Sequence, residues 1–290
     1  MAIQKVLTGA QMSKNKKRHY KPLTSIGTQE GWPSWFIHPM QSAEDEVLSW
    51  VFKNNERLEE VYFLVQMMQI NYLVFRRNYE ELVALKKEFD HPMNFGELAL
   101  KTEKGKQITS DVVIEYTRLL HNFLASAKML VEVTRRWIKQ QFEGTEFWKK
   151  YQEEVSSRFA NNVQAQFLED LRDFTLRRIL PLAMPELLMQ QVSEHELRSS
   201  LGIILLKDHL LEWKKWSELG RMQILMSFEG EVDIQSIVEQ YVENATEFTR
   251  WLFWQIREQF DNEIEQFNSV LIHMRKGKSN LTPDTSTHAP

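Results

Sequence analysis

The chain has 290 residues, a formal net charge of -4 and no cysteine. The lack of cysteine excludes disulfides, thiolate metal sites and cysteine nucleophiles, while the small net charge favours solubility and indicates no partner. Ten glycines and eight prolines are few for this length, which disfavours a turn-rich all-β protein. The N-terminal sequence lacks the apolar core of a signal peptide, so we expect a cytoplasmic protein.

The first 29 residues carry six basic residues and no acidic one. Four of these basic residues cluster, and the cluster is a candidate site for RNA phosphates or for an acidic partner surface. A solvated, disordered terminus explains the same composition and is the preferred interpretation, because six charges without a folded scaffold are weak evidence of binding. The clustered residues are Lys14, Lys16, Lys17 and Arg18.

An aromatic segment follows this basic arm, with two tryptophans and a phenylalanine between residues 32 and 36. Such a density of aromatic residues in an extended stretch predicts a segment pinned across the surface of a domain. The last residues, 276–290, are rich in Ser, Thr and Pro and predict a disordered tail. We therefore divide the chain into the arm with its aromatic segment at 1–40, one domain at 41–275, and the tail.

A first helix is predicted from Ser42 to about Phe89, a span without glycine or proline. Two interleaved sets of apolar residues each repeat every seven residues, so together they form a seam of 3.5-residue period. The seam packs against helices of the same chain or faces a second chain. The most apolar window is 15 residues long, shorter than the about 20 that a membrane span needs, so we predict no membrane contact. The seam comprises Val51, Leu58, Val65, Tyr72 and Tyr79 in one set, and Val61, Met68, Phe75, Leu82 and Phe89 in the other.

A second and a third long helix are predicted after a polar loop. The second runs from Thr109 or Ser110 to about Phe142. Thr145, after a glycine, is expected to cap the third helix, which an apolar stripe extends until Pro181 stops it. The stripe comprises Val155, Phe159, Val163, Phe167, Leu171 and Phe174.

The helical period weakens beyond this point. Two short apolar runs, at 187–192 and 201–206, favour a small β-hairpin, although buried helix gives similar runs. Asp208 is predicted to cap a short helix that ends near residue 220, and Asp233 to cap a last helix that ends near residue 274. We therefore predict a mostly all-α fold, a bundle of long helices with a small β-hairpin.

Most catalytic and cofactor motifs are missing from the sequence. It contains no glycine-rich phosphate loop, no G-x-S-x-G elbow and no H-E-x-x-H metal motif. The nearest metal-like spacing joins His209 and Glu212, one helical turn apart, which is more often a surface contact than a ligand pair. We therefore predict no metal and no small-molecule cofactor.

Two stretches on the predicted second and third helices carry a family resemblance. They are Arg118–Ser126, with Thr134-Arg135-Arg136 beyond it, and Phe167–Phe174, with Pro181 after it. Together they resemble a group of uncharacterised bacterial helical proteins in which the second stretch usually reads Leu-Arg-Asn-Tyr-x-x-His before a proline. That pattern is similar to the Arg-Asn-x-x-x-His signature of HEPN domains, helical bundles found in many bacterial toxins and defence proteins. Lys207–Glu212, Trp213 or Trp216, Tyr241 and Trp251-Leu252 also fit the group.

The resemblance implies an endoribonuclease site with two of its three positions changed. Active HEPN domains cleave RNA without metal, and their arginine, asparagine and histidine map onto Arg172, Asp173 and Arg177. A guanidinium stays protonated and cannot replace imidazole as a base, although it can hold a phosphate. Asp173 is expected to pair with Arg172. His121 and Asn122, on the predicted second helix, are the remaining candidates for an acid–base role.

Three functions compete on these observations. The favoured one is a non-catalytic HEPN-like binding or regulatory protein, self-associating as a homodimer, that contacts RNA or a partner protein. The second is a metal-independent endoribonuclease of toxin or defence type that uses Arg172 with His121 or Arg177. The third is a structural scaffold in which the first helix faces a second chain. A purely structural interpretation of the same residues is an ion pair of Arg172 within its helix, with Arg177 complementing the helix end.

Overall fold

A computed structural model gives the fold and describes residues 56–89, 103–177, 183–193 and 196–263, together with 265 and 269. This part of the chain is mostly helical, as predicted. The helices are α1 (Glu56–Phe89), α2 (Glu103–Phe142), α3 (Glu146–Val155), α4 (Val163–Arg177), α5 (Lys207–Leu211) and α6 (Gln235–Gln259). The strands are β1 (Ala183–Ser193), β2 (Glu196–Leu206) and β3 (Glu231–Val232).

The described residues fall into two compact units, one made of residues 71–248 and the other of residues 56–70 with those from 249 onward. The prediction of one domain over 41–275 stays a prediction. Its basic arm, aromatic segment and tail lie outside the described residues. So do the predicted beginning of the first helix, at residues 42–55, and the predicted C-terminal end of the last.

An aromatic cluster forms the centre of the first unit. The ring of Phe123 on α2 lies 5.5 Å from Phe75 on α1 and 6.4 Å from Tyr241 on α6. Phe75 and Tyr241 meet edge to face at 6.1 Å, and Phe159 approaches Tyr241 to 6.0 Å. Edge-to-face pairs at these separations add to the free energy gained by burial, so the cluster holds α1, α2 and α6 together.

The predicted seam of α1 is buried. Its described members expose at most 8% of their surface, apart from the half-buried Tyr79. The hydroxyl of Tyr72 donates a 3.2 Å hydrogen bond to Thr246 on α6. The scaffold hypothesis requires this seam to face a second chain, whereas here its residues lie in the interior. The buried members are Val61, Val65, Met68, Tyr72, Phe75 and Leu82.

The turn between α2 and α3 forms as the sequence predicts. Gly144 has a φ of +85°, a left-handed conformation that glycine adopts readily. The Thr145 hydroxyl accepts a hydrogen bond from the Trp148 N–H at 3.2 Å and donates one to the Phe142 carbonyl at 2.7 Å. Thr145 therefore caps α3, as predicted.

The predicted continuous third helix is wrong, because the chain breaks at Asn161 and Asn162. A π-helical turn, Ser156–Ala160, ends α3, and α4 begins at Val163. The side chain of Asn162 accepts the Ala165 N–H at 2.9 Å, and short polar side chains that bond the backbone in this way compete with a continuing helix. The apolar stripe continues on both sides, which is why its period did not reveal the break.

The two strands β1 and β2 cover both short apolar runs and pair antiparallel from Ala183–Leu205 to Ser193–Glu196. The register shifts between Gln191 and Ser193. The short strand β3 joins the other edge of β2 through the pairs Leu205–Val232 and Leu206–Glu231. The small hairpin therefore belongs to a three-stranded sheet.

The predicted short helix after Asp208 is also wrong in its length and its cap. Helix α5 starts at Lys207, one residue before the predicted cap Asp208. It has no side-chain cap and ends at Leu211. A loop follows, and a second π-helical turn occupies Leu219–Ile224. The helix ends early because Trp213 and Trp216 turn inward from the loop, each 7% exposed, and pack against Phe174 of α4. By contrast Asp233 accepts the Gln235 N–H at 2.9 Å, so it caps α6 as predicted.

In the second unit, helix α1 carries buried Val61, Leu64 and Met68, and α6 carries buried Phe253 and Ile256. Within this unit Arg57 lies over the ring of Phe260, 5.0 Å from its centroid. Within the described ranges, the helices are all too short or too polar for a membrane span.

Candidate functional site

The residues of the family resemblance meet around α4. Phe167, Leu171 and Phe174 form its apolar face and are fully buried. The ring of Phe167 stacks on Trp216 at 5.4 Å. Phe174 lies 5.9 Å from Trp213 and 6.2 Å from Trp216. Two stretches of the resemblance that are far apart in sequence therefore form one aromatic core.

Two polar groups of the loop after α5 are satisfied within this core. The indole N–H of Trp216 donates a 2.8 Å hydrogen bond to the Leu210 carbonyl, so burying the indole leaves no unpaired donor. The imidazole of His209 packs edge-on against Phe174 at 5.5 Å. His209 therefore serves packing here, and among the described residues no three His, Asp or Glu side chains gather as a metal-ligand set.

A second junction joins α4 to the second π-helical turn through Asp170. One carboxylate oxygen of Asp170 accepts both the Ser217 N–H at 2.8 Å and the Ser217 hydroxyl at 2.6 Å. The Ser217 hydroxyl oxygen in turn accepts the Gly220 N–H at 3.0 Å. A Cβ at Gly220 would lie 2.4 Å from the Asp170 carboxylate and 3.3 Å from the backbone of Phe167, so the close approach requires glycine.

Burial raises the pKa of the Asp170 carboxyl above its ordinary value of 3.8, and the charges of Glu169 and Asp173 act in the same direction. The hydrogen bonds from Ser217 oppose this shift because they stabilise the ionised form. Burial is the largest of these effects, so the folded chain holds the Asp170 proton more tightly than a solvated carboxyl would.

The three positions that correspond to the HEPN signature are tied to one another by charge. Arg172 donates to Asp173 through Nε at 3.0 Å and also through Nη2. Arg177 approaches the other oxygen of Asp173 at 3.5 Å. The Arg172 side chain is only 14% exposed, whereas that of Arg177 is 58% exposed. The expected ion pair is therefore present, and it occupies the arginine that would have to hold RNA.

A second ion-pair group links α4 to α2 beside this corner. Lys128 bonds Glu169 at 2.9 Å and Glu132 at 2.8 Å. Burial lowers the Lys128 pKa, but the hydrogen bonds to both carboxylates outweigh it and the net pKa is raised. Burial likewise raises the pKa of Tyr241, with Glu169 adding to the effect and Arg172 opposing it. Lys128, Arg172 and Arg177 are thus each paired with a carboxylate.

His121 and Asn122 lie on α2 but form no hydrogen bond or ion pair with Arg172 in the described structure. The Nδ1 atom of His121 is enclosed and has no hydrogen-bond partner. An imidazole that acts as a base needs its other nitrogen held by an acceptor to fix its tautomer. The role predicted for His121 and Asn122 stays a prediction, as does any role of the arm residues Lys14, Lys16, Lys17 and Arg18, which lie outside the described residues.

The sequence pattern did not single out Asp170, Ser217 and Lys128, and it indicated Tyr241 only as part of the family resemblance. Asp170 sits in an acidic run that is typical of a solvated helix face, and its partner is 47 residues away. The Ser217-x-x-Gly220 spacing could have indicated a cap, since Gly220 donates to the Ser217 hydroxyl. The other two depend on contacts between helices, which periodicity alone does not predict.

A small cavity of about 30 Å³ lies elsewhere in the first unit. Its lining includes Tyr79, Lys86, Tyr116 and Asp233, and Lys86 bonds Gln235 within it. Burial raises the pKa of Tyr116, and the charge of Asp233 adds to the effect. A molecule of liquid water takes about 30 Å³, so this cavity is the size of a water site and not of a nucleotide site.

No protein-family model, curated protein or solved structure matches this chain. The likeness to HEPN domains therefore depends on the residues quoted above and stays a prediction.

Proposed function

We propose that this chain is a non-catalytic, HEPN-like helical protein that acts by binding a partner protein. The observation that carries the proposal is the pairing of Arg172 with Asp173 by two guanidinium nitrogens. An arginine held in this way, with 14% of its side chain exposed, has few donors left for an RNA phosphate. A guanidinium is not a proton acceptor, so Arg177 cannot take the proton of an RNA 2′-hydroxyl.

Charge distribution favours a protein partner over RNA. Proteins that bind nucleic acid carry a basic patch or stripe, whereas three basic residues at this corner of α4 and α2 are each paired with an acidic one. Lys128 has Glu132 and Glu169, and both arginines share Asp173.

The rival function, a metal-independent endoribonuclease, would need His121 as its base. Two features of His121 support this rival. The residue lies on α2, which Lys128 links to α4, and its Nδ1 atom has no hydrogen-bond partner. The His121 ring lacks an acceptor that would orient it, so we rank the endoribonuclease second.

The decisive experiment restores the family pattern and asks whether cleavage appears. The purified full-length chain and the double variant Asp173→Asn/Arg177→His are incubated with single-stranded and structured RNA in the presence of a chelator. We expect no cleavage by the natural chain. We expect metal-independent cleavage by the double variant, because an amide frees Arg172 and an imidazole supplies the base.

The matched control is Asp173→Asn/Arg177→Gln, which frees Arg172 without adding an imidazole and should stay inactive. Cleavage by the natural chain that His121→Ala removes would establish the endoribonuclease and reject the proposal. An inactive double variant that folds normally would argue against the HEPN-like site, and the binding role would then need another basis.

A further inference from the structure

The small cavity beside the start of α6 has a buried phenol in its lining. Tyr116 of α2 is only 7% exposed, and it lines the cavity together with residues of α1, of α6 and of the turn before α6. Within the described residues, burial and the charge of Asp233 act on this phenol, but no hydrogen bond holds its hydroxyl. Buried hydroxyl groups in proteins are nearly always hydrogen-bonded. The Tyr116 hydroxyl therefore indicates a partner that the described residues do not supply.

Three other polar side chains of the lining already satisfy one another. The ammonium group of Lys86 donates to the side-chain oxygen of Gln235, and the amide nitrogen of Gln235 donates to Glu239 at 2.6 Å. This chain of hydrogen bonds leads from α1 to α6 along the wall of the cavity. Since Lys86 has its acceptor, the described lining offers no unpaired cation to an anionic ligand.

The carboxylate of Asp233 still has room for a donor. One of its oxygens accepts the Gln235 N–H at 2.9 Å, and a carboxylate can accept about four hydrogen bonds in all. Burial raises the pKa of Tyr116, and the charge of Asp233 raises it further, so the phenol and the carboxylate are close enough to interact. No direct hydrogen bond joins them, although both line the same cavity. A donor and an acceptor therefore face this space without meeting.

The size of the cavity selects the ligand. Its volume is about 30 Å³, which admits a water molecule, whereas an apolar cavity that binds benzene measures about 150 Å³. A buried water needs two to four polar partners. Tyr116 offers a donor, Asp233 offers an acceptor, and the hydroxyl of Tyr79 in the same lining is a third group of the right kind.

We propose that this cavity binds one ordered water molecule, which joins Tyr116 of α2 to Asp233 at the start of α6. The water accepts the hydrogen bond of the Tyr116 phenol and donates one to the Asp233 carboxylate. Such a bridge is nearly as favourable in enthalpy as a direct hydrogen bond, so it fastens the start of α6 to α2. The ligand is water and not a cation, because the ammonium group of Lys86 lies in the same lining and would repel a second positive charge.

The proposal concerns the interior of the first unit and does not depend on the proposed function. A crystal structure of the full-length chain shows the site directly. We expect a water oxygen at hydrogen-bond distance, about 2.7–2.8 Å, from both the Tyr116 hydroxyl and an oxygen of Asp233. In the variant Tyr116→Phe this water should be lost or displaced.

Urea unfolding distinguishes a bridged phenol from an unpaired one. If the water holds the hydroxyl, Tyr116→Phe removes a hydrogen bond, and the equilibrium constant for folding should fall about two- to tenfold. The matched control is Tyr72→Phe, which removes a phenol hydroxyl with a direct 3.2 Å bond to Thr246 and should lower the constant by a similar factor. An unpaired phenol would give the opposite sign, because removing an unsatisfied buried group raises stability.

A cycle of two substitutions tests the second end of the bridge. Asp233→Ser keeps an oxygen that can cap α6 but removes the carboxylate that the water reaches. If the water joins the two residues, the double variant Tyr116→Phe/Asp233→Ser should lose less stability than the two single variants lose in sum.

Three results would overturn the proposal. One is a Tyr116→Phe variant that is at least as stable as the natural chain. Another is a cycle in which the two losses simply add, since the water would then not reach Asp233. The third is a stability that differs between sodium, potassium and ammonium chloride at equal ionic strength and loses this difference in Tyr116→Phe, which would assign the cavity to a cation.

Discussion

The two faces of α4 differ in what holds them in place. On one face Phe167, Leu171 and Phe174 are fully buried against side chains about 40 residues away in sequence, such as Trp213 and Trp216. On the other face the charged groups of the HEPN-like signature find their partners within five residues of one another. The first face depends on the tertiary fold, whereas the second is arranged almost entirely by its own helix.

This difference means that the charged residues of α4 can be replaced with less effect on the fold than its buried aromatic residues. Burying a phenylalanine contributes several times more to stability than an exposed ion pair, which is worth at most about 1 kcal/mol. Replacing Asp173 by asparagine, or Arg177 by histidine, therefore alters the chemistry of the corner with little effect on packing.

Among the variants that test this comparison, Phe174→Ala should lose the most stability. It removes the ring that packs against His209, Trp213 and Trp216, and a cavity of this kind costs about 3–5 kcal/mol. Urea unfolding followed by tryptophan fluorescence measures the loss. The matched control on the charged face is Asp173→Ala, which we expect to cost less, about 1–3 kcal/mol, because it leaves the part-buried Arg172 guanidinium without its acceptor. Equal losses for the two variants would contradict the distinction between the faces.

Gly220→Ala should have the next largest effect, because the new methyl group has no room. It would meet the Asp170 carboxylate at 2.4 Å and the Phe167 backbone at 3.3 Å, and overpacking of this kind costs about 1–3 kcal/mol. The double variant Asp170→Ala/Gly220→Ala removes the nearer obstacle. If its loss equals the sum of the two single losses, the collision is not with Asp170.

The smallest expected effect is the change of folding stability with pH that Asp170 contributes. Since burial raises its pKa above 3.8, the folded chain binds this proton more tightly than the unfolded chain does. Its ionised form therefore costs stability at neutral pH, and the cost is removed as the pH falls through the folded-state pKa.

We therefore expect the natural chain to gain stability relative to Asp170→Asn as the pH falls from about 7 to about 4. Urea unfolding of both proteins at several pH values gives this difference directly. A relative loss in the same interval would mean that the hydrogen bonds from Ser217 dominate and that the pKa is lowered.

The helices of this chain could be predicted because their signals are local. The seam of α1, the Thr145 cap and the Asp233 cap each depend on residues a few positions apart. The break at Asn161 and Asn162 was missed because the apolar period continues through it. The inward turn of Trp213 and Trp216 was missed because its cause lies on α4, not in the loop itself.

Within the candidate site, only the contacts between residues close in sequence could be predicted. The Arg172–Asp173 pair follows from adjacency and opposite charge. By contrast, the bonds from Asp170 to Ser217 and from Lys128 to Glu169 each join different elements, so they follow only once the helices are placed.

The enclosed phenol of Tyr241 has a practical consequence. Its ring is surrounded by Phe75, Phe123 and Phe159, and its pKa is raised by burial. Alkali should therefore convert it to the ultraviolet-absorbing phenolate only when the helices around it separate. An absorbance titration at high pH would then record the opening of this interior without any attached label.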